Sequence, residues 1–523
     1  MKTLKSLPFV WLMGLCVAGG NLMAQAPVLT SVQNPASNIP AGYPNSGLAQ
    51  GSIIVIYGSN MGPTTLVQPT SLPFPTTSGL AGTTVKVTVN GTTVTAPMVY
   101  SYATQVAAIL PSNTPLGTGD LAVTFNNSAG TIPITVVASN FGMSTVNQTG
   151  IGPAVITTPG YALITTTNSA KPGDNVVLWG TGLGATSGSD ASLPVQVDLG
   201  TPIQVLVGGI QANILYRGRS ASPGLDQINF QVPAGVTGCN VSVGTFTSGS
   251  IVSNYTTMPI SINGGACPDS TGYIAAYTAL LGKSSVRFGL LALEFNDNIN
   301  GVSGNDVLTA QSGFLGLSQS QFAATSGSLN FGQCNITYAS FNLTPQGVTS
   351  YLNAGSSLTL KYPSGSASLT TQSGQPILYG ANLAAEPAGA YTLTNGAGGA
   401  DVAAFSAGFN LAQPITWTNP SAATTINRSQ PLTITWTGGD SNAFADISLY
   451  GNGPGNGANL ECMVPASLGQ YSIPSAMLQA LPAASGGITV STGTYPQVLT
   501  VSGMDLFLVV SSRPSVSIVS TIK

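Results

Sequence analysis

Residues 51–62 read GSIIVIYGSNMG, and residues 173–184 read GDNVVLWGTGLG. This pair of stretches decides the fold. Each begins at a glycine, runs through four or five apolar positions and closes on Gly58 or Gly180. A short continuous apolar run between turn residues is the pattern of a central β-strand. The closing glycines are expected where the backbone turns sharply, since glycine tolerates conformations other residues avoid. The likeness extends outward. Ser71-Leu72-Pro73 returns as Ser192-Leu193-Pro194, and VKVTVNG at 85–91 as IQVLVGG at 203–209. APMVY at 96–100 matches ANILY at 212–216, and QVAAILP at 105–111 matches QINFQVP at 227–233. Five blocks recur in the same order at a spacing of about 120 residues, the size of one domain.

The blocks have a physical reading as strands. Val85, Val87 and Val89 alternate with Lys86 and Thr88, which gives one buried and one wet face. Asn90-Gly91 marks a hairpin, because both positions accept positive φ. Pro111 and Pro233 end strands, because proline cannot continue the ladder. Short strands with this punctuation predict an all-β chain of β-sandwiches.

The stretches 172–184 (PGDNVVLWGTGLG) and 227–235 (QINFQVPAG) carry a resemblance. They are similar to the IPT/TIG group of immunoglobulin-like domains. More closely, they resemble an uncharacterised family of secreted β-domains expanded in acidobacteria. The resemblance covers roughly Val28 to Asn263. It implies tandem Ig-like sandwiches outside the cytoplasm and no catalytic residues. The first copy departs from the pattern, since QVAAILP lacks the second Asn/Gln pair of QINFQVP.

Composition bounds the function. There is no histidine among 523 residues, and only 5% are charged. Histidine is the usual general base and the commonest metal ligand. Its absence excludes Ser-His-Asp and Cys-His catalysis and the usual zinc sites. The net charge of −3 and the lack of a basic cluster argue against nucleic-acid binding. With no histidine, binding is expected to vary little between about pH 6 and 8 unless a carboxylate is strongly shifted.

The first 26 residues read as a secretory signal: Lys2 and Lys5, an apolar stretch from Leu7 to Gly20, then Ala24-Gln25-Ala26. The apolar stretch is short for a membrane span, and an uncleaved anchor is the alternative. Cys16 follows Leu15 rather than a small residue, against a lipid anchor. Beyond the signal no transmembrane segment is expected. Four cysteines remain: Cys239, Cys267, Cys334 and Cys462. An even count in an exported chain favours disulfides, with buried free thiols the alternative. Cys239 and Cys267 flank a hairpin read across Val241 to Ile262. Cys334 and Cys462 then pair by elimination, across a domain boundary.

The expected organisation is a signal at 1–26, Ig-like repeats at 27–142 and 143–264, a β-rich domain at 265–412 and a last Ig-like sandwich at 413–523. In the third region, 328–331, 334–338 and 357–361 read as strands, and Val402 to Phe405 as strand-like. Ile274 to Phe295 is apolar without strict alternation, so helix and buried strand both stay open. ITWT at 415–418 and 434–437 reads as two identical strands, and Pro474 suits the first position of a helical turn. GNGPGNG at 451–457 lacks the following helix a phosphate loop needs and reads as a hairpin loop.

Two groups are candidate binding sites. Glu294, Asp297 and Asp306 lie among asparagines and offer oxygen ligands for calcium, although EF-hand spacing fails. The plainer reading is a solvated loop. Trp417 and Trp436 offer a surface platform for a glycan, against core packing as the alternative. Trp179 lies in an apolar run and is expected in the core. No cofactor is implied. The reading is a secreted or cell-surface, non-enzymatic β-sandwich protein for adhesion, scaffolding or ligand binding, with an extracellular glycan or protein as partner. The alternatives are a carbohydrate-binding protein with an aromatic platform and a glycan hydrolase that uses carboxylates.

Overall fold

The computed structural model describes residues 25–248, 251–267, 269, 271–280, 283–296, 307–318, 322, 333–338, 348–371, 378–384, 387–453 and 456–523. The described residues are nearly all β, and the first two domains are Ig-like sandwiches in tandem. In the first, a sheet ordered Val28–Gln33, Ile53–Ser59, Gln105–Ile109, Met98–Ser101 faces a second sheet. The second runs Leu48–Ala49, Ser128–Val137, Gly117–Phe125, Thr83–Val89, Thr92–Thr95. Ile54 and Ile56 meet Val85, Val87 and Val89 between them, all fully buried. Each such side chain contributes about 1.5–3 kcal/mol by leaving water.

The second sandwich repeats this plan. In the first copy Ile53 faces Ile109 and Tyr57 faces Gln105. In the second, Asn175 faces Gln231 and Trp179 faces Gln227. The pairing register is therefore duplicated along with the sequence blocks. Both hairpin turns take positive φ, at Asn90 and Gly91 (49° and 76°) and at Gly208 and Gly209 (58° and 78°). The reason for Gly58 and Gly180 differs from the one expected. Neither has positive φ. Instead a Cβ on Gly58 would lie 2.0 Å from the Val28 carbonyl oxygen, and one on Gly180 2.1 Å from that of Gly142. A neighbouring strand approaches too closely for any side chain.

Most of the remaining described strands join one fourteen-stranded sheet. It begins at Gln333–Tyr338 and runs through Asn456–Pro465, Ala443–Gly453, Ser485–Leu499 and Leu506–Ile522 to Ser285–Asn296. From there it continues through Val307–Ser318 to Ser406–Leu411 at the far edge. The strands Ile415–Trp417, Leu432–Gly438 and Gln470–Ile473 form a facing layer. The hairpin 485–522 serves two cores. Leu499, Phe507 and Val509 pack with Leu291, Phe314 and Leu393, while Ile488 and Val490 pack with Ile434, Ile447 and Leu460.

Several local expectations resolve here. The open segment at Ile274 to Phe295 is both things, a helix over Tyr273–Leu280 and a strand over Ser285–Asn296. The strand near Val402 starts later, at Ser406, because Asn395 holds 402–405 as a loop through bonds to Ala403 O and Phe405 N. Pro474 caps the helix Ser475–Leu478 from outside rather than opening it. The two ITWT stretches pair with each other, Trp417 opposite Trp436. The loop read at 451–457 is shorter than expected: the strands Ala443–Gly453 and Asn456–Pro465 stay paired as a hairpin up to Gly453 opposite Asn456. The strand read at 328–331 lies outside the described residues, as do residues 1–24 of the expected signal. No helix among the described residues is long and apolar enough to cross a membrane.

Candidate functional site

Both disulfides are present, Cys239–Cys267 and Cys334–Cys462. Cys239 lies in Gly238–Thr247, which pairs with both Ile251–Val252 and Thr256–Ile260. Cys334 and Cys462 are register partners on adjacent strands. The second bridge therefore fastens an edge strand from before residue 412 to the last sandwich.

The tryptophan platform is corrected. Trp417 and Trp436 are each only 3% exposed and belong to the core of the last sandwich. Their indole N–H groups donate to Asn419 Oδ1 at 2.9 Å and to Ala466 O at 2.7 Å. Their alternating threonines, not the rings, face water. Trp179 is corrected the other way. Leu178 and Val176 take the core, so period-two alternation sends Trp179 to the outer face, where it is half-buried. Its Nε1 donates to Thr157 Oγ1 at 3.0 Å. Tyr161, 70% exposed, sits beside it with ring centroids 6.0 Å apart. On the strand next to Trp179, Ile228 and Phe230 turn inward, which leaves Gln227, Asn229 and Gln231 outward. The first copy has Tyr57, Gln105, Ala107 and Ile109 at the matching places.

Of the acidic candidates, Glu294 is exposed on the strand Ser285–Asn296. Asp297 and Asp306 lie outside the described residues. Among the described residues no group of three or more Cys, Asp or Glu side chains is placed to hold a metal.

Sequence reasoning missed a buried polar junction between the domains. Asn140 Nδ2 donates to Asn45 O (2.8 Å) and Gly47 O (2.6 Å). Asn254 Nδ2 donates to Met143 O and Gly150 O, both 2.8 Å, and its Oδ1 accepts from Met143 N. Asn34 Nδ2 reaches Thr181 O at 3.0 Å, and Asn45 Nδ2 reaches Val252 O at 2.8 Å. All four asparagines are buried. A signal for two of them was present: Ser139-Asn140-Phe141 and Ser253-Asn254-Tyr255 recur at nearly the repeat spacing, late in each repeat. The loop after the first strand also meets the last sandwich, where Ile39 and Tyr43 join its core and Tyr43 donates to Gly457 O. A cavity of about 520 Å³ lies beside it, lined by Asn45, Val252, Arg428 and Lys523 among others.

The junction centres on Arg219 and Asp226, a fully buried ion pair. Arg219 Nη1 bonds Asp226 Oδ1, and its Nη2 donates to Gly51 O and Gly184 O, both at 2.8 Å. Asp226 Oδ2 accepts from Gly182 N (2.7 Å) and Leu183 N (2.8 Å). Burial raises the Asp226 carboxyl above its ordinary range, while Arg219 and the two amides pull it back down. The guanidinium thus ties a carbonyl of the first sandwich to a carboxylate of the second.

A second titratable pair lies in the last sandwich. Burial and the neighbouring Glu461 push the Asp446 carboxyl up to about 8, and burial raises Glu461 as well. This is the strongly shifted carboxylate that would spoil pH-independence.

No protein-family model matches this chain, and no curated protein matches it. Among solved structures, it is similar to a tetra-tandem repeat from the extending region of a large adhesion protein. That likeness is at 12% identity over 94% of this chain and 99% of the other, with a TM-score of 0.13. It is also similar to the D1–D4 ectodomain fragment of ICAM-5, at 12% identity over 92% and 98%, TM-score 0.13. A third is the SGBP-B protein of a Bacteroides ovatus mixed-linkage glucan utilization locus, seen with a heptasaccharide. There the identity is 11% over 86% and 92%, TM-score 0.15. Likeness at this level carries no function across.

Proposed function

We infer that this is an exported, non-enzymatic array of Ig-like sandwiches, the first two of the IPT/TIG kind, that holds an extracellular partner for adhesion or scaffolding. The observation that carries the reading is the buried asparagine and Arg219 network between domains. Buried polar groups with specific partners fix one geometry and penalise sliding. An array held this way keeps its outer faces at set distances, as a scaffold requires. The surface is poor in charge and rich in Thr, Ser and Asn, which suits neutral partners.

One observation favours carbohydrate as that partner. The outer face of the second sandwich offers Trp179 and exposed Tyr161, with the amide of Gln227 opposite Trp179. Aromatic faces pack on sugar rings, and amides bond hydroxyls without charge. The test is a glycan array and an adhesion assay with the full chain. Trp179→Ala and Tyr161→Ala should abolish any glycan signal, while Trp436→Phe should not. A hydrolysis screen with wild type and Glu294→Gln tests the enzyme alternative; turnover lost in the variant would overturn the inference.

A further inference from the structure

In the last sandwich, side chains of the strands Gln333–Tyr338, Asn456–Pro465 and Ala443–Gly453 alternate between two faces. Cys334, Cys462, Ile447 and Leu449 face the core. Asn335, Glu461 and Asp446 therefore share the opposite face. Asn335 is the register partner of Glu461, and Glu461 that of Ser448, two residues from Asp446. The two carboxylates are diagonal neighbours, close enough for long side chains to meet. Asn335 is only 4% exposed. Its Oδ1 and the Oδ1 of Asp446 are both sealed from solvent without a hydrogen-bond partner. The neighbouring strand Ser485–Leu499 carries no charged residue. In Leu506–Ile522, the Arg513 guanidinium lies 4.9 Å over the Phe295 ring.

Two half-buried acids and two sealed, unpartnered oxygens on one face are costly unless something positive meets them. The geometry points to a divalent-cation site of the calcium class, with Asp446, Glu461 and Asn335 as its protein ligands. All three donors are hard oxygens, which suit calcium and not thiophilic metals. Two carboxylates balance one doubly charged ion, and an amide oxygen supplies a neutral ligand. Water fills the remaining positions, as is common for calcium. Asp446 and Glu461 are half-buried as residues, which leaves the ion a way in. A site with this few protein ligands belongs to the weak extracellular range, about 0.1–1 mM.

The test is calorimetry and thermal unfolding of the chelator-treated full chain with calcium chloride at pH 7. One ion should bind, and the unfolding midpoint should rise by about 3 °C at tenfold excess over Kd. Binding should also release protons, seen as a heat that differs between buffers of different ionisation enthalpy. Asp446→Asn and Glu461→Gln should abolish the heat and the shift. Asn335→Ala, a milder change, should weaken binding about tenfold and keeps the test open if an acid variant fails to fold. Asp120→Asn, at an exposed acid elsewhere, should bind as wild type does. The proposal is overturned if wild type shows neither heat nor shift at 10 mM calcium, a concentration about ten times the weak end of that range. It is equally overturned if the shift survives in Asp446→Asn, or if that variant is simply more stable and wild type ignores calcium.

Discussion

Replacing Arg219 by methionine tests whether the two repeats are locked by charge. The substitution keeps an apolar stem and removes the guanidinium. Asp226 stays fully buried with only the amides of Gly182 and Leu183 as partners, and the carbonyls of Gly51 and Gly184 each lose a donor. Removing one partner of a buried ion pair costs about 3–5 kcal/mol, most of it the stranded charge. Where exchange of the Gly182 and Leu183 amides requires the second sandwich to open, it should then accelerate roughly 100- to 5,000-fold. Hydrogen exchange with mass spectrometry on peptides spanning 180–190 reads this directly. The sign with pH follows from Asp226. Its carboxyl is already raised, and loss of Arg219, the strongest of the influences lowering it, raises it further. A raised carboxyl favours folding below its unfolded value near 3.8 and loses that advantage as pH climbs toward the folded value. The gap between wild type and Arg219→Met should therefore widen from pH 4.5 to pH 8. Adding Asp226→Asn should recover at least half of the loss, because no charge is then stranded. A cost under about 1 kcal/mol, or exchange unchanged within tenfold, would refute the reasoning.

Other outcomes follow from single contacts. Gly58→Ala and Gly180→Ala should each destabilise by about 2–4 kcal/mol, since either Cβ meets a backbone carbonyl near 2 Å; calorimetric scans should show both losses, and a neutral effect at either would mean the strand can shift. Thiol labelling of denatured, unreduced protein should find none of the four cysteines free, and Cys462→Ser with Cys334→Ser should cost up to about 5 kcal/mol for a closed loop of 128 residues. In chelator-treated buffer, stability should fall as pH rises from about 4 to about 8, by as much as about 1.4 kcal/mol per unit, because Asp446 is folded with its proton on; Asp446→Asn should flatten this slope in denaturant titrations.

The sequence alone determined the duplicated sandwich. Repeated blocks, alternating valines and the turns at Asn90-Gly91 and Gly208-Gly209 are local signals, and local signals survive into any fold that uses them. The even cysteine count also led to the right pairs, one through a hairpin and one by elimination. What period two could not say was which face of a strand meets a core. Trp179 follows Leu178 in one apolar run, and only the opposing sheet decides that Leu178 goes in and Trp179 out. Trp417 and Trp436 look wet among threonines, yet both rings are buried and each indole N–H finds an acceptor, in Asn419 or Ala466. The long hairpin 485–522 joins two cores, which no spacing along the chain announces. The same holds for Arg219 with Gly51 and for Asp446 with Glu461 and Asn335. These groups are distant or unremarkable in sequence, and their chemistry arises only when folding removes water from between them.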